Sequence, residues 1–436
     1  MNLPRLYCLT CIILLPSGVT AEDDATVPET ISIRDRIPYG RQPVDYFSQT
    51  TNDAVSRLQE KLNAGDISLK SGPSGYLRSV LQALDVPVSS QLLVYSKTAR
   101  APNLVTPQTP RAVYFNDEVT VAWIPEAREL ELTAVDPVKG ANFYTLSQPL
   151  AETDDERVPD AIRFERRDRC LACHAGQSSL EVPGLLLRAF QTDRSGKPLF
   201  GFSRITHDST YNRRWGGWYV TGAPRKLNHR GNLVSRADNE EDKRNPGFRS
   251  PLSTVSDAVD LAKYPYITET SDVIAHMVFA HQMHGLNLII RVGMEARLRR
   301  RSDAEDRLIR YLVFADEPEL PAQISRVKSR FADWFENVQS PANERSSLRQ
   351  LNLQTRLARN RLSWLIDHPT FQALPEATYD RIMAQLLHGV SAKESPDGFS
   401  HLAPDEKSRL AALLSSREQV RSSQPIQSKP PDSADM

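Results

Sequence analysis

Hydrophobic and polar positions change rhythm several times along the chain, and each change predicts a different element. Spacing of three and four residues puts Leu58 and Leu62 on one face of a helix over 52–64. The same spacing puts Tyr76, Val80, Leu81 and Leu84 on one face of a helix over 75–84. Runs with strand character come next, at 92–95, 112–115, 119–123 and 130–135, with Asn116-Asp117 suited to a hairpin turn. A second hairpin is expected where Asp193-Arg194-Ser195-Gly196 separates 185–192 from 198–205, and 218–221 adds a short strand. From about residue 271 onward the period is helical, over 272–291, 324–337, 347–366, 376–387 and 405–420.

These patterns predict an α+β fold: a small mixed unit at 46–160, a central region at 161–300 with hairpins and a long helix, and an all-helical region at 301–420. Residues 22–45, polar and rich in Pro and Asp, read as an extended leader, and 421–436, rich in Ser, Pro and Gln, as a disordered tail. At the front, Arg5 precedes an apolar run over 6–15, then Val19-Thr20-Ala21 and the acidic Glu22-Asp23-Asp24. That layout predicts a cleaved secretory signal at 1–21 and an exported, for example periplasmic, protein. The run is too short to span a bilayer, and no other stretch is expected to stay inserted in a membrane after cleavage. With 54 basic and 54 acidic residues the chain has no net charge, which argues against nucleic acid or anionic lipid as partner.

Four cysteines occur, and signal removal takes away Cys8 and Cys11. The remaining pair lies in Cys170-Leu171-Ala172-Cys173-His174. On one helical turn, positions i, i+3 and i+4 share a face, so two thiols and an imidazole point the same way. The spacing is that of covalent haem attachment. A redox-active pair, a structural disulfide and half of a zinc site compete with it. Zinc would need two further ligands, and no second cysteine pair supplies them. The Arg163–Arg169 flank is not the buried strand that precedes a thioredoxin-like pair.

Through Cys170, Cys173 and His174 the chain resembles the c-type cytochromes, and its size resembles large exported bacterial proteins that embed one such motif. The resemblance implies one covalent haem c, iron held by His174, and electron transfer with a redox partner protein. A low-spin carrier needs a second axial ligand. His276, Met277, His281, Met283 and His284 lie on the helix over 272–291, and His281 falls near the middle of its apolar sector. His281 is therefore expected at the sixth position, with Met277 or Met283 as alternatives and His207 and His229 in polar loops behind them. Arg213-Arg214-Trp215-Gly216-Gly217-Trp218-Tyr219 offers Trp215 and Trp218 to cover a haem face and Arg214 to bind a propionate. No nucleophile elbow, phosphate loop or H-E-x-x-H motif points to a self-contained enzyme. Two other functions stay open: a haem enzyme or small-molecule sensor with an open sixth site, and a non-haem interaction protein with a Cys170–Cys173 disulfide.

Overall fold

A computed structural model describes residues 28–149, 162–233, 252–339 and 348–423. The expected signal at 1–21 and the tail beyond 423 lie outside the described residues.

The fold is α+β, as the pattern predicts. In chain order the strands are β1 (Glu29–Thr30), β2 (Leu92–Val94), β3 (Arg111–Phe115), β4 (Val119–Trp123), β5 (Glu129–Asp136) and β6 (Gly140–Ser147). They continue as β7 (Phe164–Arg166), β8 (Arg188–Thr192), β9 (Pro198–Arg204), β10 (Trp218–Tyr219) and β11 (Arg300–Arg301). The helices are α1 (Ala54–Ala64), α2 (Leu77–Ala83), α3 (Leu171–His174), α4 (Val273–Arg297) and α5 (Ala304–Leu312). After them come α6 (Arg330–Asn337), α7 (Pro369–Gln372), α8 (Glu376–Ser391) and α9 (Pro404–Ser423).

Seven strands form one antiparallel sheet in the order β10-β2-β3-β4-β5-β6-β7. Side chains alternate across a strand, so each strand feeds two cores. Val94, Val113, Phe115, Ala122 and Phe143 face a core shared with α4. Leu93, Ala112, Tyr114, Val121 and Trp123 face a second core closed by α1 and α2. Strands β7 and β10 join this sheet from beyond residue 160, so the expected border between the mixed unit and the central region runs through a continuous ladder.

Helix α4 is the axis of the molecule. Asp272 caps it by accepting from the Ile274 amide at 2.7 Å. It is long and apolar enough to cross a membrane, yet the protein encloses it on every side. Sheet side chains such as Phe115 meet Phe279 on it (ring centroids 4.6 Å), and Tyr311 and Leu365 close over Gly285. A Cβ at Gly285 would come within 2.3 Å of Leu365, so only glycine fits. The described part of the expected extended leader, 28–45, packs onto the body of the protein, with Ile33, Ile37 and Val44 in the core. The buried Arg291 donates to the carbonyls of Ser32, Asp35 and Leu180 and ties that segment to α4.

The C-terminal region departs from the all-helical expectation. No helix forms over 348–363, because Asn352 Oδ1 takes the amides of Gln354 and Thr355 at 3.0 and 2.9 Å and Leu353 turns to φ +57°. Such a side chain satisfies the backbone locally and competes with the helix. The helix expected from 324 starts only at Arg330, where Ser329 caps it by accepting from Ala332.

Candidate functional site

The attachment motif follows edge strand β7 in the chain, with Cys170 immediately before the single helical turn α3 and Cys173 and His174 within it. Cys170 is half-buried and Cys173 exposed, and both thiols are free. Burial pushes the Cys170 thiol pKa up, and the nearby Arg100 pulls against it. His174 packs against Phe143, with ring centroids 4.6 Å apart.

The imidazole of His174 is held by one bond, from Nδ1 to the Gly184 carbonyl at 3.0 Å. A carbonyl only accepts, so Nδ1 carries the proton and Nε2 keeps its lone pair. Desolvation pushes the ring pKa down to about 4, so it is neutral at neutral pH. A neutral imidazole with a fixed tautomer is prepared for a metal at Nε2. The carbonyl itself is fixed by α4: Asn287 accepts from the Leu185 amide at 2.7 Å and donates to the Leu185 carbonyl at 2.8 Å. A Cβ at residue 184 would meet Asn287 Oδ1 at 2.5 Å, so Gly184 permits the clamp. Asn287→Ala is expected to cost about 2–4 kcal/mol, because it strands two buried backbone groups. Urea unfolding measures this, Asn287→Asp should lose at least as much because it buries a carboxylate against the Leu185 carbonyl, and an unchanged midpoint would contradict the clamp.

Cys170, Cys173 and His174 line one cleft over the α4-facing side of the sheet. It holds about 1150 Å³ of empty space out to its open mouth. Val113, Ala122 and Phe143 form its apolar floor, and Phe279 and Met283 of α4, with Leu185, Phe190 and Trp218, form its walls. One end is polar, with Ser96, Thr98, Arg100, Arg111, Glu131 and Arg188. Arg111 is bound to Glu131 at 3.1 Å through one terminal nitrogen. Its Nε, the Nε of Arg188 and the Ser96 hydroxyl are buried without a hydrogen-bond partner. Burying such groups unpaired is costly. Three of them converge on one cleft, an arrangement suited to acceptor oxygens of an anionic ligand.

The structure brings only part of the expected set together. Trp218 reaches the cleft, and its Nε1 donates to the Arg188 carbonyl at 2.9 Å. Trp215 does not line the cleft; it is fully buried between His229 and His276. Arg214 is spent on the Ser209 and His207 carbonyls and lies over Tyr211, so it has no reach to a propionate in the cleft. The backbone at Trp215, φ +65°, turns this loop toward the core.

His281 also stands away from the cleft. Its Nδ1 lies 2.7 Å from His207 Nδ1, its Nε2 lies 2.7 Å from Ser363 Oγ, and its ring stacks on Phe314 at 4.3 Å. Both nitrogens are engaged, and the expectation of His281 as axial ligand gives way. At about 100° per residue, His281 and Met283 point to nearly opposite sides of α4. Met283 is the side that faces the cysteines, whereas Met277, His276, His284, His207 and His229 do not line the cleft.

Arg111 and Arg188 escaped the sequence reading, although Arg111 sits at an inward position of β3, in line with Val113 and Phe115. An arginine in such a row is a signal of a ligand face. Among the described residues no group of three or more His, Cys, Asp or Glu side chains is placed to hold a metal ion. A porphyrin iron asks the protein for at most two axial ligands, so it does not depend on such a group. No family model, curated protein or solved structure matches the chain.

Proposed function

We propose that the chain is an exported c-type haem protein that carries electrons. Cys170 and Cys173 would hold the cofactor by thioethers, and His174 Nε2 and Met283 would hold its iron. Arg111 and Arg188 take its carboxylates. When bound, the haem supplies an iron that gains and loses a single electron.

The observation that carries the reading is the convergence of both free thiols, a tautomer-locked imidazole and three orphaned polar atoms on one cleft. The rest of the chain positions these groups. Asn287 fixes the carbonyl that orients His174, and Phe143, Phe279 and Trp218 keep water from the floor and walls. A thioether and an imidazole together favour a low-spin iron that changes charge without changing ligands, which suits electron transfer.

The test is carbon monoxide binding by the reduced protein after expression with a haem-attachment system. The intact chain is expected to resist carbon monoxide, and Met283→Ala to bind it readily with loss of the low-spin spectrum. Equal resistance in both removes Met283 from the iron. Ready binding by the intact chain would instead mean an open sixth site and favour a haem enzyme or gas sensor.

A further inference from the structure

Behind the attachment turn lies an open groove with about 1300 Å³ of empty space out to its mouth, which shares no residue with the haem cleft. Cys170, Cys173 and His174 face the cleft, whereas Leu171, Ala172 and Ala175 line the groove. The single turn α3 is therefore the wall between them.

The groove has an apolar floor and a charged rim. Phe47 is 50% exposed, one of few large apolar side chains left in water, and is braced edge-on by Tyr46 at 5.4 Å. Of the charges at the groove, Arg300 is paired with Glu29 at 2.9 Å, Asp168 with Arg166 at 3.0 Å, and Glu181 is buried. Arg36 and Arg41 stand exposed on the rim with no carboxylate partner among the described residues. The framing segments 29–48, 163–169 and 299–301 carry ten arginines against five carboxylates, in a chain that is neutral as a whole.

We propose that this groove docks the redox partner, a protein presenting an apolar knob ringed by carboxylates. The proposal rests on the haem reading. An aromatic anchor with a surrounding charge of one sign gives a partner both contact and steering. A partner seated here is separated from both thioethers by one turn of backbone, so docking and a short electron path coincide.

The first arm of the test tracks the fluorescence anisotropy of a labelled peptide, Glu-Glu-Phe-Glu-Glu, at low salt. Saturable binding is expected, weakened at least about fivefold by Arg36→Glu with Arg41→Glu and lost in Phe47→Ser. Arg307→Glu with Arg409→Glu, an equal charge change elsewhere on the surface, should leave it unchanged. In the second arm, oxidation of the reduced protein by hexacyanoferrate(III), itself an anion, should slow in Arg36→Glu with Arg41→Glu, stay unchanged in Phe47→Ser and in the control pair, and lose that difference at high salt. Equal effects of the two charge reversals, or no saturable binding, would overturn the proposal. So would a concentration-dependent dimer that the groove variant abolishes, since a second copy would then be the occupant. A chain without covalent haem would fail the parent reading alone, because the peptide arm reads the groove with or without the cofactor.

Discussion

Acidification from pH 7 to about pH 5 is expected to destabilise the protein, by roughly 1.4 kcal/mol per pH unit for each net proton that the unfolded chain binds and the native chain does not. Burial lowers the ring pKa of His174, His207, His276, His281, His284, His368 and His401, that of His174 to about 4 and those of His276 and His281 to about 3. The unfolded chain takes up protons at these rings below about pH 6.5 while the native chain does not. Stability is therefore full above that pH and drains away as pH falls. Glu317 works in the other direction: burial raises its carboxyl to about 7, so the native state binds its proton first and gains on acidification. Asp272, also raised by burial, adds to that gain. Seven histidines lowered by burial against two carboxyls raised by it leave a net loss. Urea unfolding at a series of pH values checks the slope, and a flat profile between pH 7 and pH 5 would contradict it. His276→Asn should flatten it in part.

Replacing both motif cysteines, Cys170→Ser with Cys173→Ser, is expected to abolish retention of haem by the unfolded chain. Each thiol supplies one S–C bond to a vinyl group and its hydrogen to the neighbouring carbon, so no oxidant is involved. Either single variant should keep the haem by one remaining thioether. Exposure makes Cys173 the more accessible thiol, whereas burial holds Cys170 protonated for longer. Intact mass after unfolding reads the outcome: haem-bearing for the parent chain and each single variant, haem-free for the double. A double variant that still carried its haem through unfolding would place the attachment elsewhere.

The sheet was legible wherever one strand served two different surroundings. The runs that became β3 and β4 pair as a hairpin with Phe115 opposite Thr120, which centres the turn on Asp117-Glu118, one residue beyond the Asn116-Asp117 pair. Strand β6 left no such trace, because Gly140–Leu146 are all buried, on both sides of the strand, and alternation disappears. The stretch over 348–363 misled for the opposite reason: its helical spacing is real, but the Asn352 side chain captures the backbone first.

At the site, Cys170, Cys173 and His174 were readable because one turn carries all three. Met283 surfaced only as an alternative to His281. A helix enclosed on all sides has no polar face to fix its phase, so the sequence could not tell which side met the cleft. The Trp215 and Arg214 pair had the composition of a cofactor pocket, yet the turn at Trp215 directs both into the core. Arg111 and Arg188 come from strands far apart in the chain, β3 and β8, and only folding brings their unpaired nitrogens into one cleft.

The central claim is a covalent haem on Cys170 and Cys173, and a pyridine haemochrome spectrum of the unfolded chain tests it most directly. Expressed with a haem-attachment system, unfolded in alkaline pyridine and reduced, the chain should show one c-type haem that acid and organic solvent fail to extract. A haem-free chain, or a haem that extracts with a spectrum of intact vinyl groups, would contradict it.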